Sequence, residues 1–338
     1  MTLPPPPRRT LLWHLTSSCN MLCRYCYGSF EGGSYRDNLI HGKMDVPLPY
    51  LLRTVEDLAT LGFERAYMCG GEPFLRKDLW DVLRVCVEQG IERYVLTNGS
   101  ITPKGFAERF EGGLFSNLSF SLDSLDPLTN DLNRGLTRRI TRNIEAVVAL
   151  RDRVRAQTEL GLYVVVTRTN IGQLDSLVDW ATSTGLDYVT LQVVYLPESH
   201  PFYRELSLQL EDYDTLNGSL EHLLGSNSLR RAPSDSLFEI SRQSVMGGKL
   251  VARNCFCERE LRYLFIDGDG KVRKCPSKHV QPGPPLGNIR VQRLTEMPLD
   301  SGSRDRTCTE LTADCIGVWE MAHARPARPK YGNPAVVS

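Results

Sequence analysis

Between Thr10 and about Pro197 short apolar runs alternate with amphipathic stretches, and that alternation constrains the fold more than any other property of the chain. The runs TLLWHLT, RAYMCG, RYVLTNG, NLSFSLDS, LYVVVT and YVTLQVVYL are β-branched or aromatic-rich and short, as strands are. A helix is predicted from about Pro49 to Leu61, with Leu51, Leu52, Val55, Leu58 and Ala59 on one face and Gly62 as its stop. KDLWDVLRVCVEQG reads as a second, with Asp78 as N-cap and Gly90 just past its end. TRNIEAVVALRDRV and LDSLVDWATSTG supply two more. Strands joined by crossover helices lie parallel in one sheet, and their continuously apolar character fits strands covered on both faces. An α/β architecture follows, either an open doubly wound sheet or a partial barrel. Both gather ligands at the C-terminal ends of the strands.

The unusual sequences fall at those ends: SSCNMLCRYC after the first strand, CGGEP after the second, TNG after the third and SLDS at the end of the fourth. Cys19, Cys23 and Cys26 lie within eight residues, and the next cysteine is Cys69. A structural zinc site takes four ligands, so a zinc reading has to borrow a distant fourth, and zinc pairs usually come as two close doublets. Three thiolates can instead hold three irons of a cubane cluster and leave the fourth iron open. Gly70 and Gly71 carry no Cβ and permit close approach at a strand end, and Glu72 offers an acceptor for an ammonium group.

The 338 residues suffice for one large domain and an extension. Lys plus Arg equals Asp plus Glu, 40 each, which gives no electrostatic reason to expect nucleic acid or an anionic membrane as partner. The N-terminal apolar run is too short for a secretory segment and is broken by His14, and no run approaches the roughly 18 residues needed to span a bilayer. A cytoplasmic protein is expected. Disulfides are rare in that compartment, so the ten cysteines read as metal or redox ligands. They form two groups, at 19–26 and 255–315, with Cys69 and Cys86 as packing residues between them.

The C-x3-C-x2-C triplet, followed by GGEP after the second strand, resembles the signature of the radical S-adenosylmethionine (SAM) enzymes over roughly residues 10–200. The resemblance implies a partial (β/α)6 barrel in which Cys19, Cys23 and Cys26 bind a [4Fe–4S] cluster whose open iron is chelated by SAM. It puts Tyr25 near the adenine and Gly70, Gly71 and Glu72 at the methionine end of SAM. Thr97, Asn98, Ser121 and Asp123 become ribose and methionine contacts. Arg142 and Leu191 take the positions that meet the SAM carboxylate and adenine. The implied chemistry is reductive cleavage of SAM to a 5′-deoxyadenosyl radical, with the electron supplied by a flavodoxin- or ferredoxin-type carrier.

RYLFIDGDGKVRKC reads as a hairpin turning at Asp267–Gly270. Cys257, twelve residues, Gly270, four residues and Cys275 are similar to the start of a SPASM/twitch extension. That similarity implies one auxiliary [4Fe–4S] cluster on Cys257, Cys275, Cys308 and Cys315, although the spacing of the last pair is wider than such modules favour. A zinc ribbon or scattered core thiols is the plainer alternative. Cys255 is then an alternative ligand, a structural thiol or a hydrogen-atom donor to a substrate radical. The expected organisation is a tail (1–9), a radical SAM core (10–200), a helical connector (201–250), a twitch-like domain (251–322) and a C-terminal tail (323–338). The expected substrate is a small molecule, a sugar, aminocyclitol or nucleoside of an antibiotic pathway. A maturase of a ribosomally made peptide is the alternative, and a non-catalytic iron–sulfur or zinc module a third reading.

Overall fold

The computed structural model describes residues 9–26, 45–194, 196, 198–225, 261, 263–274 and 284–299. Its centre is a nine-stranded sheet. In chain order the elements that matter here are β1 (Arg9–Thr16), α1 (Leu48–Thr60), β2 (Phe63–Gly70), α2 (Leu79–Glu88), β3 (Glu92–Thr97), α3 (Phe106–Glu111), β4 (Asn117–Ser121), α4 (Pro127–Asn133), α5 (Thr137–Val154), β5 (Glu159–Val166), α6 (Leu174–Thr184) and β6 (Tyr188–Val193). After them come α7 (Tyr203–Leu206), α8 (Tyr213–Gly225), β7 (Tyr263–Ile266), β8 (Lys271–Arg273) and β9 (Gly287–Asn288). The six predicted strands are present and pair in parallel in the order β6-β5-β4-β3-β2-β1. The sheet is not closed: β6 ends it on one side and β9 on the other.

Because successive strand residues point to opposite faces, each strand feeds two environments. Leu11, Trp13 and Leu15 of β1, Ala66 and Met68 of β2, Leu118 and Phe120 of β4, and Leu162 and Val164 of β5 pack with the helices in one continuous core. The intervening residues line the opposite, inner face, where Leu12, Tyr67, Cys69, Tyr94, Tyr263 and Phe265 form a second cluster. Each fully buried Leu or Phe contributes about 1.5–3 kcal/mol through loss of apolar surface to water. The helix-facing core therefore holds the strands in register and the inner face is free to carry polar chemistry.

Helix α1 ends where Gly62 adopts φ +72°, and Gly90 ends α2 in the same left-handed conformation, as the sequence predicts. Asp78 stands at the N-cap position of α2 but does not cap it. Its carboxylate pairs with Arg76 at 2.7 Å instead. The guanidinium of Arg76 is drawn inward to donate to the carbonyls of Leu15 (2.9 Å) and Val46 (2.6 Å), and a buried cation there needs a counter-charge. The short helices α3 and α4 carry too few turns for a periodic signal, and the sequence reading places no element there.

The hairpin β7–β8 turns at Asp267–Gly270, with Gly270 at φ +88°. It does not stand apart from the core: β7 pairs in parallel with β1, Leu12 opposite Phe265, and extends the same sheet. Leu264 and Ile266 enter the helix-facing core while Tyr263 and Phe265 join the inner cluster, so YLFI is a strand with two faces to cover. Among the described residues no helix is long and apolar enough to cross a membrane. Cys255, Cys257, Cys275, Cys308 and Cys315 lie outside the described residues.

Candidate active site

The loop carrying Cys19, Cys23 and Cys26 leaves the C-terminal end of β1 and is anchored at both sides. Asp45 accepts from the Thr16 hydroxyl (2.5 Å), the Ser17 amide (2.8 Å) and the Ser17 hydroxyl (3.1 Å), and thereby fixes the exit from the strand. At the far end the Cys26 amide donates to the Cys23 carbonyl (3.1 Å), which closes a tight turn. The Arg24 amide donates to the carbonyl of Asn133 (2.9 Å), which ties the loop to α4.

The GGEP turn at the end of β2 forms the second wall. The amides of Gly71 and Glu72 donate to the carbonyls of Thr16 (2.8 Å) and Ser18 (2.7 Å). A Cβ on Gly70 would overlap the Thr16 carbonyl oxygen, and one on Gly71 the Ser18 carbonyl oxygen. The sequence assigns these glycines to close approach of a ligand. The geometry assigns that approach to the backbone of the cysteine loop itself.

Glu72 already has protein partners. Its side chain is fully buried. It accepts from the Phe74 amide (3.0 Å), the Thr97 hydroxyl (2.8 Å) and the Asn98 amide (2.7 Å), so it is a fastener between two turns before it is an acceptor for a ligand. Burial pushes its carboxyl up to about 7 against these three hydrogen bonds, which hold it down. Replacing Glu72 by Ala strands three buried donors at about 1–3 kcal/mol each. The melting temperature should fall by on the order of 10 °C, measurable by calorimetry before any cofactor is added. An unchanged melting temperature would remove Glu72 from this structural role.

The third wall comes from TNG. Asn98 donates to Asn20 Oδ1 (2.9 Å) and reaches Cys19 Sγ (3.8 Å), while its own oxygen accepts from the Ser100 amide and hydroxyl. Asn98 thus faces the first thiol directly. Ser121 and Asp123 lie buried at the end of β4, with the Ser121 side chain on the inner face. Asp123 is a hub: it accepts from the Tyr25 hydroxyl, from Arg134 Nε (2.9 Å) and from the Val165 amide (2.8 Å). Tyr25 packs against Val194, Leu196 and Leu206, with the Arg134 guanidinium 5.6 Å above its ring centroid.

Two predicted contacts do not reach the site. Leu191 is on β6 but faces the helix-side core, because alternation gives the inner face to Thr190 and Gln192 on either side of it. Arg142 lies on the solvent-exposed side of α5. The guanidinium the site holds is that of Arg134, between Asp123 and Cys23. Sequence reasoning missed it together with Asp45, Arg76 and Asn20, since none stands at a motif spacing and each reaches the site only through a turn.

No described cysteine is in a disulfide. Burial pushes the Cys19 thiol up to about 11 and the Cys23 thiol up as well, so both are protonated near neutral pH, and loading a metal centre on them would release protons. Among the described residues no three His, Cys, Asp or Glu side chains cluster tightly enough for a single metal ion. The donor set fits a cluster by its chemistry: three thiols of one loop, walled by amide-rich turns, with Asn98 facing the first sulfur.

An open sheet of parallel β/α units, with a three-thiol loop at the end of its first strand and a glycine-paired turn at the end of its second, defines a class of iron–sulfur enzyme core. Residues 13–181 match the Radical SAM superfamily, and the chain belongs to that superfamily, whose members bind a [4Fe–4S] cluster and SAM. It is 23% identical over 300 residues to an AdoMet-dependent heme synthase of Methanosarcina barkeri, covering 86% of this chain and 81% of the relative. It is 27% identical over 278 residues to the mycofactocin maturase MftC of Mycolicibacterium smegmatis, covering 79% of this chain and 64% of MftC. In fold it is similar to Streptococcus suis SuiB bound to its precursor peptide SuiA (TM-score 0.67, 16% identity, 88% of this chain and 67% of that one). It is also similar to anSMEcpe with bound AdoMet and a peptide (TM-score 0.61, 16% identity, 94% and 95%).

Proposed function

We propose that this protein is a radical SAM enzyme whose substrate is a peptide, in the manner of a maturase. The observation that carries the enzymatic part is the seating of the cysteine loop against the GGEP and TNG turns, through Ser18 to Glu72 and Cys19 to Asn98. In this reading those thiols hold the cluster, and Gly70, Gly71, Thr97, Asn98, Ser121 and Asp123 shape the SAM side of it. When bound, cluster and SAM supply reductive cleavage of the sulfonium and a radical able to take hydrogen from an unreactive carbon. The chain's own residues seat and shield: Glu72 locks the second and third walls together, and the Tyr25–Asp123–Arg134 triad closes the side toward β5. Cys257, Cys275, Cys308 and Cys315 are proposed to hold an auxiliary cluster, with Cys255 beside it.

The peptide reading draws support from MftC among the relatives and from the peptide-bound structures of SuiB and anSMEcpe. Nothing comparable among them favours a sugar or aminocyclitol of an antibiotic pathway. GTP 3′,8-cyclases, at 27% identity in one Methanosarcina mazei relative, keep a nucleotide as the competing substrate class. The test is anaerobic reconstitution with iron and sulfide, followed by incubation with SAM and a library of short peptides beside GTP. Formation of 5′-deoxyadenosine coupled to a mass change in a peptide is the expected result. A mass change in the nucleotide alone would replace the peptide reading.

A further inference from the structure

One group of reactive side chains on the inner face of the sheet has no part in the function proposed above. Cys86 is buried in the helix-facing core, as a packing thiol is expected to be. Cys69 is on the other side: alternation along β2 turns it to the inner face, in the last inward position before the GGEP turn. The parallel register of β1 with β2 sets His14 directly beside it. On the far side of His14, Asp267 follows β7, and its Oδ1 stands 3.7 Å from His14 Nδ1. Three neighbouring strands thus bring a thiol, an imidazole and a carboxylate into one row at the C-terminal edge of the sheet.

The row is built rather than incidental. Phe265 meets the His14 ring edge-on at 4.8 Å. Asp267 is fixed by its own turn: Oδ1 accepts from the Gly268 amide (2.8 Å), and its amide donates to the Lys271 carbonyl (2.9 Å). His14 Nδ1 is buried with no partner at hydrogen-bond distance, a costly arrangement that packing alone does not require. Burial opposes a charge on the ring, yet Cys69 and Asp267 on its two sides raise it to about 10, so it is protonated near neutral pH. Tyr163 of β5, also on the inner face, is pushed above the ordinary tyrosine range by burial and stays neutral. Cys69 is buried while His14 and Asp267 keep partial exposure, so protons can reach the thiol from solvent along the row. Among the described residues no three such side chains close tightly enough to hold a metal ion. What remains is a nucleophile–base–orienter arrangement, a thiol whose proton is handled by a histidine held by an acid.

We propose that Cys69 is a hydrogen-atom donor to a carbon radical formed at this site, and that His14 and Asp267 are the relay that restores its proton. A thiol S–H bond is weaker than most C–H bonds, so the transfer is downhill. The S–H bond breaks, a C–H bond forms, and the sulfur is left one electron short. A one-electron carrier returns the electron, His14 returns the proton, and water recharges His14 by way of Asp267. A substrate that loses one hydrogen atom to the SAM-derived radical and regains one from Cys69 keeps its composition, so the product is an isomer of the substrate. This rests on the radical SAM reading above and adds the fate of the radical.

The test needs no substrate, because the first carbon radical formed is then itself the acceptor. Full-length, anaerobically reconstituted protein is given SAM and dithionite in deuterated water with no added thiol, and the 5′-deoxyadenosine is analysed by mass spectrometry. A thiol exchanges its hydrogen with solvent and carbon-bound hydrogens do not, so the wild-type product should carry one deuterium at its methyl carbon. The label should be lost in Cys69→Ala and in Cys69→Ser, whose O–H bond is too strong to give up its hydrogen. In His14→Gln the first turnover should stay labelled while later ones slow by at least about a hundredfold, the usual share of a positioned acid. A label retained in either Cys69 variant, or unlabelled 5′-deoxyadenosine from wild type, overturns the inference and leaves the radical SAM reading standing. No 5′-deoxyadenosine from wild type overturns both. A second readout uses the protein before reconstitution: the His14 ring, assigned by its loss in His14→Gln, is titrated by nuclear magnetic resonance. It should lose its proton at lower pH in Cys69→Ser than in wild type, and identical titrations would overturn the relay.

Discussion

Replacing Cys19, Cys23 and Cys26 together by Ala should remove about four irons per chain after anaerobic reconstitution and abolish SAM cleavage entirely. The three side chains are the only thiols on the loop, and most of its anchorage does without them: Asp45, the Gly71 and Glu72 amides, and the Arg24 amide hold the backbone, while Asn98 meets the Cys19 sulfur and Cys19 and Cys23 pack against the core. The variant should therefore fold with the wild-type circular dichroism spectrum. Iron and sulfide counts together with the ultraviolet–visible absorbance of the cluster check the expectation. Iron left in the triple variant reports the proposed auxiliary centre on Cys257, Cys275, Cys308 and Cys315. An unaltered iron count would remove the triplet from metal binding, and zinc in place of iron after anaerobic purification would overturn the enzymatic reading itself.

The second large effect is expected from one methyl group. Gly71→Ala places a Cβ into the Ser18 carbonyl, and the atom it meets is backbone, which cannot swing aside as a flexible side chain can. The neighbouring hydrogen bonds, Gly71 to Thr16 and Glu72 to Ser18, would have to lengthen together. Overpacking of this kind typically costs about 1–3 kcal/mol, and at the upper end the population of correctly seated loop falls roughly a hundredfold. Cluster loading should fail while the rest of the sheet stays folded. Gly90→Ala is the control: it is strained by its φ of +72° yet has nothing within contact distance, so it should lower stability modestly and leave iron content unchanged. Iron retained at the wild-type level in Gly71→Ala would show that the loop can shift without consequence.

The strands were legible as short, continuously apolar runs bounded by turn residues, because both faces of the sheet are covered and the run is a local property. Leu191 came from the resemblance alone, with no motif to fix it: the apolar run VTLQVVYL announces β6 but not which of its residues faces the site, and the polar neighbours Thr190 and Gln192 hold the inner face. Arg142 shows a different limit. The resemblance puts it at the SAM carboxylate, whereas the guanidinium beside Asp123 is that of Arg134, which comes from the turn after α4, whose short pattern carries no periodic signal. Glu72 was legible as a special residue but its structural partners were not, because Thr97 and Asn98 lie one strand away and only parallel pairing of β2 with β3 brings them together. Asp45 and Arg76 are long-range in the same sense.

The annexation of β7 by β1 has a temporal consequence. Until Tyr263–Ile266 has left the ribosome, β1 is the outermost strand of the growing sheet, and one row of its amides and carbonyls has no protein partner. That strand also delivers the three thiols. A nascent chain halted after β6 would thus present an unpaired edge on the strand that leads into the cysteine loop, an invitation to intermolecular strand pairing. The late hairpin acts as a clasp: the edge of β1 is covered only by a segment that follows the whole β/α array.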